Sequence, residues 1–387
     1  MGNARGLITV ATSIPPALAR QNAGTDIPEY QKLCIQSWTN NGFRVLSVND
    51  PEEISELAAL YPDVEFVATH RNAHEWTGRK TPYIADLLLA LKVSTEPVLG
   101  ILNSDLLFEP SAAWIRELPA MVPNTLVMAH RYNTSALRTG ALRQYFGVDC
   151  FFFDRTLASS LLEDRLPFAM GAPWWDYWLP CTALLFGRDI AVVDRPAILH
   201  LNHEPKYDQE TWRKFASIFS QSTIRKFECL PNPPSDMAAQ FIPHLRNIAV
   251  AIQEGGKVDP AFRPFMHQFV TALREKAVVW SPGFDKVGAA AAPAPILEEA
   301  FERFDQRLAA GQAFAQVRLL SAKGKWSAIG PDLVAAISQA SDDPDIRPIL
   351  DQIALFSSEF PGQNPARRVC NRIKSLFTGR SYSGSSD

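Results

Sequence analysis

The 387-residue sequence is poor in several features that would otherwise announce a function. Its five cysteines (Cys34, Cys150, Cys181, Cys229 and Cys370) are scattered and form no C-x-x-C pair. That spacing argues against a disulfide framework or a Cys-rich zinc site, and it fits a reducing compartment. No stretch reaches the roughly 18 consecutive apolar residues expected of a spanning helix. The segment Met1–Gly6 does not lead into the long apolar run of a secretory signal. Gly2 is followed by Gly6 where a myristoylation signal wants Ser or Thr. With 38 Lys/Arg against 41 Asp/Glu, the net charge is -3. That balance gives no general electrostatic case for a nucleic-acid partner. The chain is therefore expected to be cytoplasmic.

What is present suits a globular protein: 47% hydrophobic and 20% charged residues, in a chain long enough for two domains. The short runs Leu7–Thr12, Phe43–Val48, Val64–Ala68 and Val98–Leu102 read as strands. Helical patterns at Tyr30–Trp38, Glu52–Leu60 and Pro82–Leu91 separate them, the last with Pro82 in its first turn. Such alternation predicts an α/β fold with a mostly parallel sheet and helices on both faces. Trp114–Leu118 reads as helix. Thr125–Ala129, Val148–Phe153 and Ile190–Val193 read as further strands. Beyond about Tyr207 the patterns are helical, at Phe241–Gln253, Phe262–Val279, Ile296–Ala310 and Ile346–Phe356. The expected division is a catalytic domain over 1–206, a helical extension over 207–287, a linker over 288–295, a helical region over 296–380 and a disordered tail over 381–387.

The chain is organised around Val98–Phe108, where an apolar strand runs into Asn103-Ser104-Asp105 and returns to apolar residues. Polar groups at a buried strand end cost free energy unless something binds them. In open α/β sheets the carboxyl ends of strands face the ligand crevice. Two readings are open: a turn into a helix capped by Asp105, or a site in which Asp105 holds a divalent cation and, through it, a nucleotide diphosphate. Thr12 and Ser13 end the first strand and are placed to touch that nucleotide. Asn49 and Asp50 end the second, where base or ribose is recognised. Arg79 and Lys80 precede a helix and could meet a phosphate. Trp174-Trp175-Asp176-Tyr177-Trp178 puts a carboxylate among rings that could stack on a sugar. His200 and His203 follow a late strand, and His130 ends another.

In their order along the chain, Asn49-Asp50, Asn103-Ser104-Asp105, Asp176 and the late histidines resemble the GT-A type of nucleotide-diphospho-sugar glycosyltransferase. The acidic "DxD" motif of that family follows a hydrophobic strand. The resemblance covers about the first two hundred residues. It implies a GT-A-like sheet, transfer of a sugar from a nucleotide-diphosphate sugar to a glycan or lipid-linked acceptor, and a Mn²⁺ or Mg²⁺ cofactor. Asp105 and, of the two histidines, His203 would be the metal ligands. Asp176 would be the base of an inverting reaction, and Trp174, Trp175 and Trp178 the acceptor wall. Thr12, Ser13, Asn49, Asp50, Arg79, Lys80, Asn103 and Ser104 would hold the nucleotide. Asn103 departs from the family's first acidic residue; it can meet a ribose hydroxyl but ligates a metal poorly.

A sugar-nucleotide nucleotidyltransferase is the rival enzyme, but it would want a Gly-rich basic loop where Ile14-Pro15-Pro16-Ala17 stands. A non-catalytic carbohydrate- or protein-binding module on the same scaffold is the other alternative. The basic, amphipathic Arg367–Phe377 segment could, if helical, give peripheral contact with the inner face of a membrane.

Overall fold

The computed structural model describes residues 8–16, 28–108, 113–134, 143–145, 148–193, 198–201, 207–232 and 240–276, with a few isolated positions between 313 and 333. Its centre is a seven-stranded sheet of β1 (Ile8–Thr12), β2 (Phe43–Asn49), β3 (Glu65–Ala68), β4 (Val98–Leu102), β6 (Thr125–Ala129), β9 (Cys150–Phe153) and β10 (Asp189–Val193). The order across the sheet is β10-β6-β9-β4-β1-β2-β3. Six strands share one direction, and β9 alone runs against its neighbours β4 and β6.

β1 and β4 are buried along their whole length. Helices cover both faces, so the strands read as unbroken apolar runs. Successive side chains still alternate between two core clusters. Leu99, Ile101, Phe151 and Phe153 face α4 (Ile84–Lys92), α6 (Arg155–Asp164) and α7 (Trp175–Leu185). Val98, Leu102, Cys150 and Phe152 face α1 (Pro28–Asn40). The four-residue helices α3 (His74–Thr77) and α5 (Leu118–Met121) lie in the connections between strands. Gly100 pairs with Phe152 across β4 and β9. A Cβ at Gly100 would lie 2.9 Å from the Phe152 ring and 2.9 Å from the Phe151 carbonyl, so only glycine lets the reversed strand lie this close.

A second sheet, in the order β5-β11-β7-β8, stands beside the first. It joins β5 (Leu106–Phe108), β11 (Ile198–Leu201), β7 (Arg131–Thr134) and β8 (Arg143–Tyr145). The polar step therefore leads into a strand, and Asp105 caps no helix. Helix α4 begins at Ile84 with Tyr83 as its cap, so Pro82 lies before the helix and not in its first turn.

The described helices after residue 207 share the core of the sheet. From α8 (Gln209–Cys229), Phe215 and Phe219 join the core cluster of α7. Leu245 on the Ile242–Gln253 helix and Phe265 on the Asp259–Lys276 helix join it too. The linker at 288–295, the tail and the basic segment Arg367–Phe377 lie outside the described residues.

Candidate functional site

The carboxyl ends of the parallel strands open onto a crevice of about 550 Å³. Asn103, Ser104 and Asp105 all line it, because β4 delivers them to the edge where ligands meet such sheets. Helix α1 holds the backbone of this polar step and of β5. The Tyr30 hydroxyl donates to the Asp105 carbonyl at 2.9 Å, and the Trp38 indole donates to the Leu106 carbonyl at 2.8 Å. The Ser37 hydroxyl accepts from the Phe108 amide at 3.0 Å. With its backbone clamped, Asp105 turns its carboxylate to His200, whose Nε2 lies 3.3 Å from Oδ2. β11 pairs with β5 so that His200 stands opposite Leu106. Strand pairing, and not sequence proximity, brings carboxylate and imidazole together.

Asp176 lines the same crevice from the first turn of α7. Trp174 precedes it in a left-handed conformation (φ 78°) that turns the chain into the helix. The carboxyl is half-buried at the crevice wall, enclosed by protein except where the crevice reaches it. Burial first, and then the negative charge of Asp149, push its pKa up to about 8, against the pull of Arg131.

Arg131 and Asp149 form an ion pair on the crevice wall. Asp149 also links the two ends of the site, since its carbonyl accepts the Asn103 amide at 3.0 Å. Sequence reasoning missed this pair. Asp149 precedes a strand, the wrong end for a parallel sheet; because β9 is reversed, its start lies at the same edge as the ends of β4 and β6. Arg131 had one signal, its place after His130 at the end of β6.

The other predicted residues divide. Ser13, Arg79 and Lys80 reach the crevice. Thr12 is fully buried at the end of β1, and its hydroxyl has no hydrogen-bond partner among the described residues. Asn49 is buried in a bracing network and does not line the crevice: it accepts from Ser47 at 2.6 Å and donates to the Ile14 carbonyl at 2.8 Å. Ser47 in turn accepts the Ile14 amide at 3.0 Å, so the pair shapes the loop that carries Ser13. Asp50 caps α2 (Pro51–Leu60), accepting from the Glu52 amide at 3.1 Å, and it also lies 3.7 Å from Lys80. Lys80 is committed mainly to Glu52, at 2.6 Å. Glu53 stands on the wall beside them with its carboxyl pushed up by burial.

Trp174 and Trp175 line the crevice yet are 1% and 2% exposed, so they form its floor. Trp178 is 4% exposed and stacks on Phe168 at 5.3 Å, inside the core and off the crevice wall. A sugar does not reach its ring, because α7 turns that side of itself to the sheet. His203 lies outside the described residues, and the histidine brought to Asp105 is His200. His130 is buried at the end of β6.

Among the described residues, no three His, Cys, Asp or Glu side chains gather as a metal centre. Asp105 and His200 nevertheless offer an oxygen and a nitrogen side by side at a crevice wall. Two such ligands fit a cation that takes its remaining ligands from a diphosphate and water, and the nitrogen suits Mn²⁺ better than Mg²⁺.

No helix among the described residues is long and apolar enough to cross a membrane. No protein-family model matches the chain, and no curated protein does. Solved structures of partly similar shape include an inositol-1-phosphate CTP transferase from T. maritima, at 12% identity and TM-score 0.34, covering 56% of this chain and 97% of that one. Another is 4-diphosphocytidyl-2C-methyl-D-erythritol synthase from Anaerococcus prevotii, at 9% identity and TM-score 0.31, covering 53% and 94%. A mannose-1-phosphate geranyltransferase from Thermus thermophilus shares 11% identity at TM-score 0.26, over 56% and 80%. Likenesses this slight carry no weight for what this chain does, which rests on its own residues.

Proposed function

We propose that the protein is a transferase acting on a nucleotide-diphosphate sugar, and that it moves the sugar to a carbohydrate or lipid-linked acceptor hydroxyl. The observation that supports this is the meeting of two unlike carboxylates on one crevice: Asp105 beside His200, and Asp176 enclosed among tryptophans.

In this reading Asp105 and His200 hold a divalent cation, which supplies positive charge to the departing diphosphate. Asn103 and Ser13 meet the nucleotide, and Arg79 and Lys80 add positive charge on the same wall. Asp176 accepts the proton of the attacking hydroxyl. A base is most effective with its pKa near the working pH, and enclosure beside Asp149 brings Asp176 there. Arg131 balances the second carboxylate, so two acids share a wall without both being unpaired.

The second reading is a sugar-nucleotide nucleotidyltransferase; one of the similar solved structures is named as a CTP transferase. It would want cations next to the first strand to hold a triphosphate. Among the described residues of that loop, Ser13, Pro15 and Pro16 are what reaches the crevice. A carbohydrate-binding module without catalysis is the third.

Product analysis separates them. With UDP- and GDP-sugars and Mn²⁺, glycosyl transfer or slow hydrolysis releases the nucleoside diphosphate. With nucleoside triphosphates and sugar 1-phosphates, nucleotidyl transfer releases pyrophosphate. We expect the first product. Pyrophosphate instead would move the assignment to nucleotidyl transfer, and neither product with any donor would leave a binding module.

A further inference from the structure

The described helices after residue 207 supply part of the crevice wall. Tyr207, at the entry to α8, lines it with Trp212 on α8 and Phe262 on the Asp259–Lys276 helix. Tyr177, one residue after Asp176, lines it too. Four rings are contiguous, with Tyr207 on the same crevice wall: Trp174 lies 4.9 Å from Trp212 and 4.8 Å from Phe262, and Phe262 lies 5.4 Å from Trp212 and 5.7 Å from Tyr177. Trp174 is buried beneath, whereas Tyr207 is 38% exposed and Trp212, Phe262 and Tyr177 are half-buried.

The platform is held firmly. Asp208 caps α8 by accepting the Thr211 amide at 2.7 Å, which fixes the chain between Tyr207 and Trp212. The Trp174 indole donates to the Trp212 carbonyl at 2.9 Å, and Arg213 donates to the Ile252 carbonyl at 2.9 Å. A rigid set of ring faces loses little freedom on binding.

The crevice wall carries two kinds of group. Its cations are Arg79, Lys80 and Arg131, whereas Tyr207, Trp212, Phe262 and Tyr177 bring apolar faces and no charge. An anionic nucleotide belongs with the cations. A neutral ring with one apolar face and a polar rim belongs on the aromatic platform, which is the chemistry of a pyranose.

We propose that the helical extension forms a saccharide subsite, with Tyr207 and Trp212 as its stacking faces, which presents an acceptor hydroxyl to Asp176. The acceptor role rests on the transfer reading above; saccharide binding itself stands on the rings.

The test uses the full chain. Tryptophan fluorescence is titrated with maltose, cellobiose, lactose and N,N′-diacetylchitobiose, and UDP with Mn²⁺ is titrated by calorimetry in parallel. At least one disaccharide should shift the emission saturably. Tyr207→Ala, at an exposed side chain, should weaken that binding about fivefold and leave UDP binding unchanged. Trp212→Tyr should retain more saccharide affinity than Trp212→Leu. No saturable shift with any of the four sugars, or unchanged affinity in both Tyr207→Ala and Trp212→Leu, would overturn the subsite. Saccharide binding in a wild type that binds no UDP would uphold the subsite and overturn the transfer reading instead.

Discussion

Asp105 and Asp176 line one crevice in opposite surroundings. Asp105 sits in the turn between β4 and β5, its backbone is clamped by α1, and its carboxylate faces an imidazole. Asp176 starts a helix, has tryptophans on both sides in sequence, and faces a like charge. The same functional group is thereby suited to two tasks. A carboxylate paired with a nitrogen ligand is fitted to hold a cation, whereas one whose ionised form is disfavoured is fitted to take up a proton. Asp149 joins the two halves, through its carbonyl to Asn103 and its carboxylate to Arg131.

The sharpest way to break this contrast is to remove each charge and compare the losses. Asp176→Asn keeps the shape of the side chain and should lower kcat by about 10²–10⁴-fold, with little change in donor binding. A loss that appears only in KM would make Asp176 a binding group. Asp105→Ala should lower kcat/KM by about 10²–10³-fold, and added Mn²⁺ should no longer stimulate the residual rate. Equal Mn²⁺ stimulation of variant and wild type would move the cation elsewhere.

Stability against pH sharpens the same contrast. A carboxyl with a folded pKa near 8 binds its proton more tightly in the native chain than in the unfolded one. Its stabilising contribution is complete below the unfolded value near 4 and is lost as pH rises towards 8. The wild type should therefore lose thermal stability between pH 5 and pH 8 more steeply than Asp176→Asn; parallel Tm profiles would mean that Asp176 is ionised throughout. The smallest effect belongs to Asp149→Asn. Removing that charge leaves Arg131 to favour the ionised Asp176, so the rising limb of the pH-rate profile should move to lower pH, on the order of one unit. A limb that stays in place would separate Asp149 from the proton transfer.

Much of this was legible in the sequence where a residue broke the pattern of its surroundings. The strands of the main sheet followed from short β-branched and apolar runs between turn residues. Asn103-Ser104-Asp105 stood out because a buried strand does not end so without reason, and Asp176 because a carboxylate stood between tryptophans. Illegible were the contacts that depend on pairing distant strands. His200 meets Asp105 only because β11 pairs with β5, and Asp149 reaches the crevice only because β9 is reversed. No local periodicity carries strand direction. Their place at a strand end makes Asn49 and Asp50 look like nucleotide ligands; a turn braced by Ser47 and capped by Asp50 needs the same residue types. Sequence proximity groups Trp178 with Trp174 and Trp175, but the helical turn after Asp176 rotates it into the core.

In the proposed reaction Asp105 carries the cation-dependent grip on a nucleotide diphosphate and Asp176 does not. Calorimetry of UDP and GDP with and without Mn²⁺, on wild type, Asp105→Ala and Asp176→Asn, tests it directly. Mn²⁺-dependent binding of at least one nucleotide is expected in wild type and Asp176→Asn, and its loss in Asp105→Ala. Binding that persists with unchanged Mn²⁺ dependence in Asp105→Ala would contradict it.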